Sequence, residues 1–452
     1  MDAARLSHSP MLVVRWLLLA SLAGCASPYS MQPSEPPAPP ARSAAVAVPV
    51  PATTVAPAIA PAPPVVVAPA PASAPAAAAA PAAAAPPPTP LPFDDAVANA
   101  ANDLFGKAAL PPNAPPRIPL VIDPLVDGVT GIQSAATRSM GERIVEIVRN
   151  RYPRFEVQPF SSAALATRPL VLIGTFTPVN NAGTAGAPRD AYRICLALAD
   201  FRSGRILSKG VARARFDGVD STPTAYFNDS PAWTRDRAVE GYIRTCQGTK
   251  PGDPIDAVYA DRIVAAALLA DAIDAYDARR YREALELYRS ALQTPGGDQL
   301  RAYNGVYLAN WKLGRRDEAA QAFARIVDYG LETDRLAVKF LFQPGSTQFV
   351  TQSAVSGEYP LWISQLARRA AERSACMEIV GHSSPTGPEP VNERLSLLRA
   401  QFIKSRLDAA APTLARRTIT NGVGSRENLV GTGRDDASDA LDRRVEFKVI
   451  GC

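Results

Sequence analysis

From about Pro28 to Pro92 the chain is almost entirely proline, alanine and valine, and this stretch limits the possible folds more than any other feature. Runs such as Pro61-Ala-Pro-Pro-Val-Val-Val-Ala-Pro69 and Pro86-Pro-Pro-Thr-Pro90 carry no hydrophobic periodicity and hardly any charge. Proline fixes φ and denies helix hydrogen bonds, so the segment offers nothing to build a core with. The expectation is a disordered, extended linker over residues 26–92. At about 3.1 Å per residue where it is polyproline II, its roughly 65 residues could span up to about 200 Å. Folded material must therefore come after it, and the remaining length suits two or three domains.

Charge and histidine content narrow the function classes. The 452 residues carry a formal net charge of +5 with 20% charged residues, too weak and too evenly mixed to argue for nucleic acid. There are two histidines, His8 and His382. A Ser-His-Asp triad would rest on His382 alone and a His-rich zinc site is impossible, so no catalytic residues, metal or cofactor are expected. His382 reads as a structural residue at a strand end.

Residues 1–25 read as a secretory signal, with Arg5 early and an apolar stretch from Met11 to Ala20 broken by Arg15. That stretch is far shorter than the ~20 residues a bilayer-spanning helix needs. The following Leu22-Ala23-Gly24-Cys25 resembles the lipobox of bacterial lipoproteins. The resemblance implies lipidation of Cys25 and, with Ala26 rather than Asp beside it, a lipid-anchored protein on the periplasmic face of the outer membrane. The linker would then carry the folded part from its anchor towards the cell wall, or serve as a plain spacer.

A middle domain is expected over 103–255. Ile118 to Asp123 is a short apolar run, Ser134 to Asn150 places Met140, Ile144, Ile147 and Val148 on one helix side, and Phe155 to Val157 is strand-like. Leu170 to Phe176 and Tyr192 to Leu198 read as buried strands, with a turn at Ser203-Gly204 before Arg205-Ile-Leu207. Strand, helix, strand and meander argue for an α/β sandwich. Through Leu172-Ile-Gly-Thr-Phe176 and Ala199-Asp-Phe-Arg-Ser-Gly204 it loosely resembles the domain of CsgG-like, FlgO-like and Lpo-type lipoproteins, which implies a protein partner. Over 259–331, Tyr281, Ala284, Tyr288 and Ala291 recur as Arg316, Ala319, Phe323 and Ile326. The shift of about 35 residues is close to the tetratricopeptide period. Two repeats are too few to stand alone, so they should pack on a neighbouring domain; their concave face could bind a peptide, or the pair could be a spacer.

The last segment, 334–452, carries the most specific signals. Val338-Lys-Phe-Leu-Phe342 reads as a first strand, and Leu361 to Arg373 as an amphipathic helix with Leu361, Leu366 and Ala370 inward. Met377-Glu-Ile-Val-Gly-His-Ser-Ser384, Asn392-Glu-Arg-Leu-Ser-Leu-Leu-Arg-Ala400, Asn421-Gly-Val-Gly424 and Asp442-Arg-Arg-Val445 resemble motifs of the OmpA-like domain. The resemblance implies a βαβαββ fold that binds the peptidoglycan stem peptide. Arg399 would fork onto the ligand carboxylate, which lysine cannot reproduce. Asn392 and Leu395 would share its helix face, and Ser383 and Ser384 would line the facing loop. Ser384 stands where the family has an aspartate for the ligand ammonium, so it supplies no charge; Glu389 is a candidate replacement. Four cysteines besides Cys25 allow three pairings. The resemblance places Cys376 near Cys452, which leaves Cys195 with Cys246. The reading is a multidomain α/β, non-enzymatic envelope protein that localises to peptidoglycan and presents its middle domain to a partner. Its alternative is an activator or assembly factor of a wall synthase or trans-envelope machine.

Overall fold

The structure is a computed structural model that describes residues 89–110, 115–185, 189–343, 345–350, 358–430, 433 and 441–452. The signal segment, Cys25 and most of the Pro/Ala-rich linker lie outside the described residues. The described residues all fall in one compact unit, 81–452.

The first sheet follows the buried β-branched runs. Strands β1 (Ile118–Ile122), β2 (Val126–Asp127), β3 (Phe155–Gln158), β4 (Leu170–Val179), β5 (Ala191–Asp200) and β6 (Arg205–Arg215) form it, in the order β3-β1-β4-β5-β6, with β2 beside β4. Pairings among β3, β1 and β4 are parallel, whereas β4-β5-β6 is an antiparallel meander. Every residue of β4 is buried, as expected of a strand covered on both faces. Helices α1 (Phe93–Gly106) and α2 (Ala135–Arg151) cover one face. Ser134 starts α2 with a reciprocal cap: its Oγ accepts from Thr137 N at 3.3 Å, while Thr137 Oγ1 accepts from Ser134 N at 2.9 Å. Met140, Ile144, Ile147 and Val148 all reach the core. Helices α5 (Arg237–Gln247) and α6 (Ala257–Asp277), with the short α3 (Ser162–Ala166), cover the other face.

Helix α1 begins N-terminal to residue 103, the expected start of the middle domain. Its buried Ala96, Ala100 and Ala101 look in sequence like the linker before it, yet it docks so tightly on β6 that a Cβ on Gly210 would fall 1.9 Å from Ala100 O. The expected Cys195–Cys246 bridge is not closed. Cys195 on β5 and Cys246 on α5 are free, with Sγ atoms 3.1 Å apart, and each thiol donates to the other residue's carbonyl, at 2.8 and 3.0 Å.

After the meander the chain crosses to the second half. Helix α4 (Ala225–Asp229) and strand β7 (Ala232–Trp233) lie against the helical hairpins formed by α6, α7 (Tyr281–Gln293), α8 (Leu300–Lys312) and α9 (Arg316–Glu332). Tyr226 is buried there, with its OH donating to Arg301 O at 2.5 Å and its N–H to Asp277 at 2.7 Å, and Asn304 donates to Ala232 O at 2.8 Å. The offset residues Ala284, Tyr288 and Ala291, and Ala319, Phe323 and Ile326, are all buried.

The second sheet has the order β10-β9-β11-β8-β7, from β8 (Arg335–Val338), β9 (Cys376–Gly381), β10 (Thr418–Gly422) and β11 (Val445–Ile450). Helices α10 (Tyr359–Glu372) and α11 (Glu389–Ala410) complete a β-α-β-α-β-β order. The first strand is shifted from Val338–Phe342 to Arg335–Val338. Lys339 N turns to Pro231 O at 2.9 Å and Phe340 N folds back to Val338 O at 3.1 Å, which ends the ladder while Phe340 and Phe342 remain in the core. Strand β11 runs antiparallel to β9 with Ile450 opposite Cys376, and a disulfide joins Cys376 to Cys452 with Cα atoms 5.4 Å apart. On α10, Leu366 and Ala370 are buried, Leu361 is half-buried, and the largest anchor is Trp362.

Candidate functional site

The residues singled out in the C-terminal motifs converge where β9 and β10 end against α11. Close approach explains the glycines: a Cβ on Gly381 would lie 2.0 Å from Ser396 O, and one on Gly422 2.4 Å from Leu397 N. Gly424 has φ +58°, and a Cβ there would fall 2.0 Å from a Glu389 oxygen. The turn is laced to its neighbours by Ser383 N to Gly424 O at 2.9 Å and Gly424 N to Ser396 Oγ at 2.9 Å.

Arg399, Asn392 and Leu395 all lie on α11, while Ser383 and Ser384 follow β9. Arg399 is only 4% exposed. Its Nε donates to Ser346 O at 3.2 Å, its Nη2 to Gln343 O at 3.3 Å, and its guanidinium sits 4.9 Å from the Phe342 ring centroid. The backbone of the loop after β8 thus provides carbonyl acceptors of the kind a ligand carboxylate would supply. Sequence reasoning missed this loop, because carbonyl acceptors carry no side-chain signature. Ser384 and Ser383 are buried, and Ser383 Oγ has no hydrogen-bond partner among the described residues. Asn392 is buried with its amide 3.4 Å from Gly387 O, and Leu395 is half-buried. Glu389 does not serve as the spare charge considered from sequence. It accepts from Ser425 N at 3.0 Å and from the Ser425 hydroxyl, and lies 3.8 Å from Arg426, so it is already committed to the β10 turn.

Beside this turn His382 is buried at the end of β9, next to Glu446 on β11. Burial pushes the Glu446 carboxyl up, but His382, Arg444 and Arg335 together hold it down at about 2. Among the described residues, His382, Glu427 and Glu446 come close enough to share an ion. Glu446 nevertheless lies 3.1 Å from Arg335 and 3.6 Å from Arg444, so two guanidiniums already balance its charge. The group is an ion-pair network that fixes β9 against β11, and it fits a metal poorly.

No protein-family profile matches the chain. It is 32% identical over 101 residues to Outer membrane protein Omp38 of Acinetobacter baumannii, in two strains; the match covers 22% of this chain and 28% of that protein. The chain therefore spans well under a third of these curated relatives. Among solved structures, the peptidoglycan-associated lipoprotein from Burkholderia pseudomallei is 21% identical with a TM-score of 0.21, covering 25% of this chain and 89% of that one. The cell wall anchor of the T6SS from Pseudomonas aeruginosa is 22% identical with a TM-score of 0.23, covering 29% and 97%. The motifs on β9 and α11 and the β-α-β-α-β-β order of the C-terminal part resemble an OmpA-like domain, in keeping with the similarity of the chain to Omp38 over 101 residues.

Proposed function

We propose that this is a non-enzymatic cell-envelope protein that engages the peptidoglycan stem peptide through Arg399 of its OmpA-like domain. In this reading Cys25 carries a lipid anchor at the periplasmic face of the outer membrane, residues 26–92 are the tether, and the sandwich of the middle domain is offered to a protein partner. The division into 103–255, 259–331 and 334–452 belongs to the same proposal, with α1 added to the middle domain. The observation that carries it is Arg399 itself: a buried guanidinium, fixed on a helix whose N-terminal turn packs against Gly424, with loop carbonyls as neighbours. Ser384 leaves the ammonium side without a charge, so binding should be weaker than with an aspartate there.

The test is co-sedimentation of the mature full chain with purified diaminopimelate-type peptidoglycan, beside Arg399→Lys, Arg399→Ala and Ser384→Asp. Pelleting that is lost in both arginine variants and strengthened by Ser384→Asp supports the reading. If wild type and Ser384→Asp both stay in the supernatant, wall binding is refuted.

The alternative is an activator or assembly factor of a wall synthase or trans-envelope machine, in which the OmpA-like domain only localises the protein. The seating of Arg399 on its own loop favours it, since a ligand must replace those carbonyl contacts. Pull-downs from envelope extract with the intact chain and with a variant altered at exposed positions of the sandwich separate the two. We also propose that Cys195 and Cys246 close a second disulfide in an oxidising compartment, because their sulfurs already face each other.

A further inference from the structure

A second cleft, remote in sequence from the wall-binding motifs, carries polar groups that nothing in the preceding reading uses. A wide opening leads, through Ala238, Arg262 and Gln299, which line both, into a narrower pocket between the first sheet, α5, α6 and the start of α8. The walls of the inner pocket are apolar, with Val126, Val239, Ala266, Ala270 and Ile273 among them. Its polar groups are Asp123, Gln133, Tyr259, Arg262 and Arg301.

Three of them are unsatisfied in ways that point to a ligand. Gln133 is 6% exposed, and its side-chain amide makes no hydrogen bond to the described residues and is open to the pocket it lines. A polar amide on an otherwise apolar wall gives a ligand a hydrogen-bonding point in place of water. Arg301 Nη2 donates to Gln299 at 2.8 Å, but its Nε is buried without a partner. Neither Arg301 nor Arg262 forms a direct ion pair among the described residues, though Arg301 acts at longer range on Asp123, and both arginines on Asp236. In addition, α8 begins at Leu300 with Gln299 as its N-cap and no side-chain cap bond, which leaves the positive end of its dipole at the pocket wall. Asp123 offsets this excess only in part near neutral pH, because burial pushes its carboxyl up to about 7, with Tyr259 OH donating to it at 2.7 Å.

We propose that this pocket binds a small aliphatic carboxylate, held by the Arg301 and Arg262 guanidiniums and the Gln133 amide, with its hydrocarbon body on Val239, Ala266 and Ile273. A guanidinium edge with a free Nε matches a planar carboxylate. Phosphate is disfavoured because the apolar wall of Val239, Ala266 and Ile273 offers its remaining oxygens no partner.

The test is calorimetric titration of the full chain with sodium butyrate, with butyramide and inorganic phosphate as matched probes. Saturable butyrate binding that weakens at least about tenfold in Arg301→Gln and in Gln133→Leu, with no binding of butyramide or phosphate, is the expected result. Arg262→Gln, at a half-exposed position, provides a variant whose folding is not in question and should weaken butyrate in the same direction. Absence of saturable butyrate binding overturns the proposal, as does equal binding of butyramide or wild-type affinity in both arginine variants.

Discussion

Asp123 shows how one buried carboxyl sets a pH response. The folded state retains a proton there between about pH 4 and 7 that the unfolded chain has released, so its contribution is complete below about pH 4 and is lost as pH rises through about 7. Asp123→Asn keeps an acceptor for Tyr259 and removes the titration. Its stability should exceed that of wild type at pH 8 by at most about 4 kcal/mol, with the gap closing towards pH 4, as melting curves would show. Parallel curves would exclude a buried, titrating Asp123. Glu446 has the opposite sign: held at about 2 by His382, Arg444 and Arg335, it stabilises above about pH 4.5 and loses that contribution as pH falls towards 2. The cysteines were legible as residues but only partly as pairs. Alkylation of protein from an oxidising compartment, under denaturing conditions, should leave Cys195 and Cys246 unlabelled; full labelling of both would remove the second bridge.

Elements with strong periodicity were readable, and those without it were not. Helix α2 shows its buried side in sequence because large side chains recur at helical spacing. Helix α1 hides among alanines, and its place becomes evident only from the face of β6 it covers. Gly210→Val should therefore push α1 off the sheet and cost about 3 kcal/mol or more, measurable by urea unfolding. Between α9 and α10, Asp328 is buried and paired with Arg369 at 2.7 Å and Arg373 at 3.1 Å. Asp328→Ala would leave two half-exposed guanidiniums with only Glu372 and Glu332 as partners and should destabilise by about 1–3 kcal/mol. A loss below about 1 kcal/mol would show that solvent already screens the pairs.

At the scale of the whole molecule, the helical hairpins act as a connector between the two sheets. Segment 225–233 leaves the first sheet, packs on α6 and α8, and adds β7 to β8, while Trp362 of α10 stacks on Phe323 of α9 at 5.5 Å. A fragment 334–452 loses that stacking, the Asp328 pairs and the strand that covers β8. It should melt below the intact chain and associate through its bared edge, seen as a lower transition temperature and light scattering. A fragment as stable as the intact chain would show that the connector contributes nothing. The sequence by itself determined the strand-helix-strand-meander core of the first α/β part, the β-α-β-α-β-β order of the second, and the Arg399 and Cys376 motifs, because periodicity and local glycine requirements act over short stretches of chain. Tertiary structure alone decided that loop carbonyls seat Arg399, that Glu389 is committed to Ser425, that β7 joins the second sheet, and that Gln133, Arg262 and Arg301 meet in one pocket. Each of these depends on contacts between residues distant in sequence, whose energies reside in burial and hydrogen-bond satisfaction and leave no local pattern to read.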